Sequence, residues 1–281
     1  MKLYRRTFLQ RTGAAAAAVL AAPALLWTGQ AASQRDNGSS ILQTLTALND
    51  EQIPDLLTRQ VTAPGDRWHG GVTNADDIPN AHSTGWFLIT LGSAYSAKSS
   101  DYFRSPALEQ PMELAARCLR NVQYADGTVD LYSTNFHSTP DTAFLVNYLS
   151  PVYVVLDRLN QPGLRPTVSH LNAFLANSGQ CLTTGGIHTP NHRWVVCSAL
   201  ALLYHFDPDQ RYLDRMDEWL REGVDMDPDG QYTEQSVSIY SPVCNNMFLT
   251  MGRLLDRSQF YTYVRKNLDM TLYYIQPGGE V

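Results

Sequence analysis

Two short stretches carry most of the side chains in this sequence that could do chemistry. The first, "GGIHTPNHRW" at 185–194, brings His188, Asn191, His192 and Arg193 close together along the chain. Thr189 and Pro190 are the residue types expected at an N-cap and first helical position. Asn191 and His192 then fall in a first turn, where backbone N–H groups lack intrahelical partners. That end of a helix is partially positive and favours a neighbouring anion by ~0.3–1 kcal/mol. Asn191 adds an amide donor, and Arg193 adds a full charge if it turns inward, so a carboxylate suits the place. The same dipole disfavours an imidazolium at His192 and keeps the ring available as a neutral base. The second stretch, "DGQYTEQSVSIYSP" at 229–242, offers Tyr232, Glu234 and Tyr240. A tyrosine beside a dipolar or cationic site can carry a proton as phenol or phenolate. An amide for a carboxylate, a neutral histidine and a tyrosine together suit removal of a proton alpha to a carboxylate. In a uronic acid that proton is on C5, and loss of the C4 substituent then breaks the glycosidic bond without water. Neutralising the carboxylate stabilises the enolate-like charge that develops. The plainer roles are capping or loop packing for each histidine alone, and an amphipathic ring at a helix start for Tyr240.

These side chains can cooperate only where helix starts converge, and the remaining sequence is patterned for that. Apolar residues recur at helical spacing almost everywhere after residue 40, with no convincing series of alternating strands. The spacing predicts helices over 41–59, 83–98, 107–121, 140–159, 164–176, 190–206, 209–222, 242–256 and 258–275. Four share an opening: "HSTGWF" at His82, "HSTPDTAF" at His137, "HTPNHRW" at His188 and "YSPVCNN" at Tyr240, at intervals of 55, 51 and 52 residues. The helices that follow are apolar nearly all round, as buried helices are, and alternate with amphipathic ones such as "DQRYLDRMDEWLREG". A period near fifty with one buried and one amphipathic helix describes an all-α array of hairpins, either an open solenoid or an α/α toroid. In both, the buried helices run parallel, so their N-termini gather on one rim.

The N-terminal segment is read separately. "YRRTFLQ" supplies adjacent Arg5 and Arg6, and "AAAAAVLAAPALLW" is an uncharged apolar stretch of 14 residues, short for a membrane span. This pattern predicts a twin-arginine signal at 1–32 cleaved near Ala32, a linker at 33–40, a helical domain at 41–281, and a periplasmic or secreted mature protein. The chain carries a formal charge of −6, and removing the signal leaves 17 basic against 27 acidic residues. That balance speaks against a nucleic-acid partner. No further membrane-spanning stretch is expected in the mature form. Cys118, Cys181, Cys197 and Cys244 are scattered without a C-x-x-C pair, so neither a structural zinc site nor a disulfide framework is expected. Cys118 and Cys197 sit in apolar helical patterns and read as core. No cofactor motif is present.

The Asn191-His192 pair at the head of a buried helix, followed 48 residues beyond His192 by Tyr240 after an Asp-Gly turn, resembles the α/α-toroid part of the heparinase II/III-like polysaccharide lyases. That group includes alginate and oligoalginate lyases. The resemblance covers roughly residues 41–281 and is carried mainly by "TPNHRWVVCSALALLYHFDPDQRY" and "DGQYTEQSVSIY". It implies an asparagine that holds the uronate carboxylate (Asn191), a histidine that assists at C5 (His192) and a tyrosine that acts as general acid or base (Tyr240). His137, His188, Arg193 and Glu234 are candidate substrate contacts, and the implied partner is an anionic, uronate-containing polysaccharide or oligosaccharide. Members of the family continue into a β-sandwich region, whereas this chain stops at "YYIQPGGEV" with fewer hairpins than a closed toroid has. An incomplete toroid lacking its C-terminal β-sandwich is therefore expected.

Two other readings stay open. A hydrolase on the same scaffold would need carboxylic acids in the cleft, for which Asp141, Asp229 and Glu234 are the candidates, though none forms an evident pair. A non-catalytic helical-repeat module would bind a glycan or protein on the same rim.

Overall fold

The computed structural model describes residues 35–280, so the expected signal and its cleavage point lie outside the described residues. The described chain is predominantly helical, the all-α class that the periodicity predicts. Its helices are α1 (Arg35–Asp50), α2 (Ile53–Thr58), α3 (Ala81–Ser96), α4 (Glu109–Val122), α5 (Thr139–Leu159), α6 (Arg165–Thr184), α7 (Pro190–Phe206), α8 (Gln210–Arg221), α9 (Tyr240–Leu254) and α10 (Gln259–Thr271). α1 begins inside the stretch expected as linker. The single helix predicted over 41–59 is two, because Pro54 at the start of α2 has no N–H to continue the ladder. α6 runs past its predicted end at 176. Gly179 lies where a Cβ would overlap the Tyr212 hydroxyl, so close packing on α8 carries the helix through residues of poor propensity. Among the described residues no helix is long and apolar enough to cross a membrane.

α3 and α7 are buried on most sides, while α4 and α8 are amphipathic and bury one face. The fifty-residue period is written into the hydrogen bonds. Gln60 donates to the Pro111 carbonyl, Asp101 N–H to Asp50, Gln123 to the Phe174 carbonyl and Ser198 to Asn147, each across 51 residues. Bonds of one constant separation arise when equivalent parts of successive repeats lie side by side. The four cysteines are buried and free, and burial pushes the thiols of Cys118, Cys181 and Cys244 up to about 12.

The chain divides into two compact units, one of residues up to Val122 with Tyr148–Ala173, the other of Gln123–Asn147 with the residues from Phe174 onward. In the first, α3 packs on α4, and Gly92 of α3 admits Val152 of α5. In the second, α7 packs against α8 and α9, and α9 against α10. Its apolar centre is aromatic: Phe248 lies 4.9 Å from Trp194 and 5.7 Å from Phe260 between ring centroids.

Each unit also holds a short antiparallel hairpin that the sequence pattern does not predict. β1 (Val72–Thr73) pairs with β2 (Pro79–Asn80), and β3 (Val129–Leu131) with β4 (Asn135–Ser138). They are the entry loops of α3 and α5 and are built alike. Gly70 and Gly127 have φ of 93° and 88°, and a Cβ on either would overlap the Leu114 or Asn177 carbonyl. Two residues on, Val72 N–H donates to the Thr84 hydroxyl at 3.0 Å and Val129 N–H to the Thr142 hydroxyl at 2.9 Å. Each threonine in turn donates to the residue before its helix, Asn80 or Ser138, at 2.8 Å. One hydroxyl thus satisfies a strand donor and a helix-start acceptor.

Candidate functional site

In the second unit the entries to α5, α7 and α9 come together. Thr189 is the N-cap of α7 in extended conformation, with proline in the first turn, as its sequence predicts. Asn191 is 1% exposed. Its amide nitrogen donates to both oxygens of Glu234, at 2.6 and 2.8 Å, and to the Thr189 hydroxyl at 3.2 Å. Its Oδ1 is buried without a partner among the described residues. Beside it, the half-buried His192 ring meets Phe144 of α5 edge-on at 5.9 Å and the exposed His188 at 6.1 Å. Burial lowers the His192 pKa, with His188 acting in the same direction and Asp141 opposing. His192 Nδ1 is also buried without a partner among the described residues. Asp141, in the first turn of α5, accepts from the Ser138 hydroxyl.

Glu234 reaches Asn191 from the loop before α9, and a buried polar chain fixes that loop. Tyr232 donates to Asn245 at 2.9 Å, Asn245 to Asn267 at 2.8 Å, and Asn267 to the Gly230 carbonyl at 3.0 Å. Gly230, at φ 97°, backs onto the Lys266 carbonyl. Burial pushes the Tyr232 phenol far up, so that hydroxyl keeps its proton and serves structure. Tyr240 opens α9 with 44% of its surface exposed, and its N–H donates to the Ser236 hydroxyl at 3.3 Å. Ser241 next to it is buried, and its hydroxyl lacks a partner among the described residues.

Other residues sit differently from their sequence expectations. Arg193, read as a cation for substrate, is buried and spent internally: it pairs with Glu222 at 3.0 Å and with Asp225, and stacks over Trp194 at 5.0 Å. Asp225 also accepts from Thr233 through its backbone carbonyl, so Arg193 ties α7 to the loop that carries Glu234. His137 is in β4, two residues before α5, at φ 50°; its neighbour Ser138 takes the capping position. His188 likewise precedes α7 by two. His82 instead lies inside α3, whose N-cap is Asn80 accepting from Ser83 N–H at 2.8 Å, and it belongs to the other unit. The four openings therefore match in sequence phase, but only His137 and His188 match in structural position. Of the acids considered for hydrolysis, Asp141 is held by Ser138, Glu234 by Asn191, and Asp229 is exposed in a turn. Sequence reading missed Ser241 and the Asn245–Asn267 pair; a polar residue on the apolar face of a helix was the available signal.

No family model matches the chain, and no curated protein matches it. Among solved structures it is similar to a polysaccharide lyase at 14% identity and a TM-score of 0.35, over 83% of this chain and 46% of that one. The chain thus spans less than half the length of that structure.

Proposed function

We propose that the entries to α7 and α9 form the proton-transfer centre of a polysaccharide lyase that cleaves uronate-containing chains by β-elimination. The observation that carries this reading is a carboxylate, that of Glu234, already seated on the buried Asn191 amide beside a histidine that burial keeps neutral. A substrate uronate takes the place of Glu234 on that amide, which puts C5 beside the His192 ring. His192 Nε2 removes the C5 proton, and the electrons of the C5–H bond form the C4–C5 double bond. The C4–O bond breaks, and its oxygen receives a proton from the exposed Tyr240 hydroxyl. The products are a 4,5-unsaturated uronate and a shortened chain with a new hydroxyl end; water is not consumed. Stabilising the charge on the carboxylate as C5 ionises is the larger electrostatic contribution, and proton transfer by positioned groups adds to it.

The ultraviolet absorbance of the unsaturated uronate reads this reaction and is silent for hydrolysis. Tyr240→Phe keeps the ring and deletes the hydroxyl, so turnover is expected to fall by ~10²–10⁴-fold with little change in thermal stability. A normally folded Tyr240→Phe chain with full turnover overturns the assignment, and a chain that binds uronate oligosaccharides without turning them over is the binding module instead.

A further inference from the structure

Glu234 is held unlike the other carboxylates of its unit. Glu222 and Asp225 face the Arg193 guanidinium, and Glu218 faces that of Arg215 at 2.7 Å. Asp126 accepts from the Thr128 N–H and hydroxyl, at 3.0 and 2.6 Å, and lies 3.0 Å from His137 Nδ1. These are the ordinary ways to hold a carboxylate withdrawn from water, by a cation or by several donors. Glu234 is half-buried, and the bonds to its two oxygens, at 2.6 and 2.8 Å, come from the one neutral amide of Asn191. That amide is itself on a residue only 1% exposed, so Glu234 closes the way to it.

Leaving the seat requires no rearrangement of the fold. The buried chain of Tyr232, Asn245 and Asn267 anchors the loop two residues before Glu234. The residues on either side of Glu234, Thr233 and Gln235, are exposed. Gln235 has φ 49°, where non-glycine residues are uncommon. Rotation of the Glu234 side chain alone opens the amide, while Tyr232 stays in place.

We propose that Glu234 is a built-in competitor for the substrate carboxylate: it closes the Asn191 seat in the resting chain, yields it to a uronate, and on returning expels the product. The inference rests on the lyase reading and adds the regulation of that site. The product keeps a carboxylate, so without a competitor the seat would hold it as firmly as it holds substrate. Exchange of one carboxylate for another conserves the bonds to Asn191, so the seat adds little net affinity for either. Weak uniform binding raises KM and shortens product residence, which matters where release limits turnover.

An NMR titration with D-glucuronate tests it without turnover. The side-chain NH2 resonance of Asn191, assigned by its loss in Asn191→Ala, reports the seat directly. Glu234→Ala empties the seat, and Glu234→Gln keeps an acceptor but removes the charge. Each is expected to bind glucuronate about tenfold tighter than the unsubstituted chain, the scale of one charge-assisted hydrogen bond no longer given up. A carboxylate that merely holds the loop predicts the opposite, a lower melting temperature with equal or weaker binding. If Glu234→Ala does not fold, the nearly isosteric Glu234→Gln decides alone. Equal or weaker binding in either folded variant, or an Asn191 resonance that glucuronate shifts in none of the three chains, overturns the competitor. Absence of unsaturated product from glucuronan, alginate and hyaluronan with the unsubstituted chain overturns the lyase reading instead, and the exchange at Asn191 is decided by the titration.

Discussion

The entries to α5 and α7 solve the same problem in opposite ways. Both carry a histidine two residues before the helix, yet a bulged hairpin leads into α5 and only the short segment after Gly185 leads into α7. At α5 the polar groups are met: Thr142 bridges strand and helix, and Asp141 is held by Ser138. At α7 Asn191 Oδ1 and His192 Nδ1 are buried and unmet, and Ser241 at the start of α9 repeats the pattern. Each unmet buried group costs about 1–3 kcal/mol, and native structures hold few of them. The local caps thus account for the polar groups at the α5 entry, whereas at the α7 and α9 entries Asn191 Oδ1, His192 Nδ1 and the Ser241 hydroxyl lack a partner among the described residues.

Substitutions on the two sides of this comparison should separate function from stability. The largest effect is expected at the unmet entry: His192→Ala should lower turnover by ~10²–10⁴-fold while the melting temperature barely moves. Equal losses of folding and activity would erase the contrast. Arg193→Met keeps the packing on Trp194 but leaves Glu222 and Asp225 without their cation. A loss of about 2–4 kcal/mol is expected in chemical denaturation, since both carboxylates are partly hydrated and the full cost of breaking a buried pair is not reached. A neutral Arg193→Met would show that the guanidinium is free for substrate after all. On the met side, Thr142→Val is nearly isosteric and strands the Val129 N–H, for an expected loss of about 1–3 kcal/mol with the kcat of the folded protein unchanged. A fall in kcat there would extend the functional entry to α5.

The smallest effect is in titration. His192 is shifted below the ordinary histidine value of 6.5, chiefly by burial, so the unfolded chain binds its proton at a higher pH than the folded one. The stability tied to the neutral ring is complete above that value and is lost as the pH falls through the lowered pKa. The acid limb of kcat/KM should therefore lie below 6.5 as well. An NMR titration of the ring with a midpoint at or above 6.5 would mean that Asp141 outweighs burial.

Much of this protein is legible along the chain because it depends on neighbours within one turn. Apolar spacing placed the helices, Thr189 and Pro190 marked the start of α7, and the recurring openings set a period that hydrogen bonds across 51 residues reproduce. The hairpins escaped because strands of two to four residues are too short to show an alternation. A shared opening motif also misled at His82, where Asn80 takes the cap, since several residue types can start a helix and the sequence alone does not rank them.

The residue types at the candidate site were fixed by sequence, but the partner of each was decided only by the tertiary structure. Glu234 reaches Asn191 across 43 residues, and Arg193 reaches Glu222 across 29 and Asp225 across 32. A local pattern gives a side chain its charge and its place on a helix, and says nothing about which distant loop comes within 3 Å of it. Packing of α7 against α8 and α9 made that choice. It neutralised the arginine that looked available, seated a carboxylate on the asparagine and left His192 half-buried and neutral, because burial and pairing are properties of surroundings assembled from distant parts of the chain.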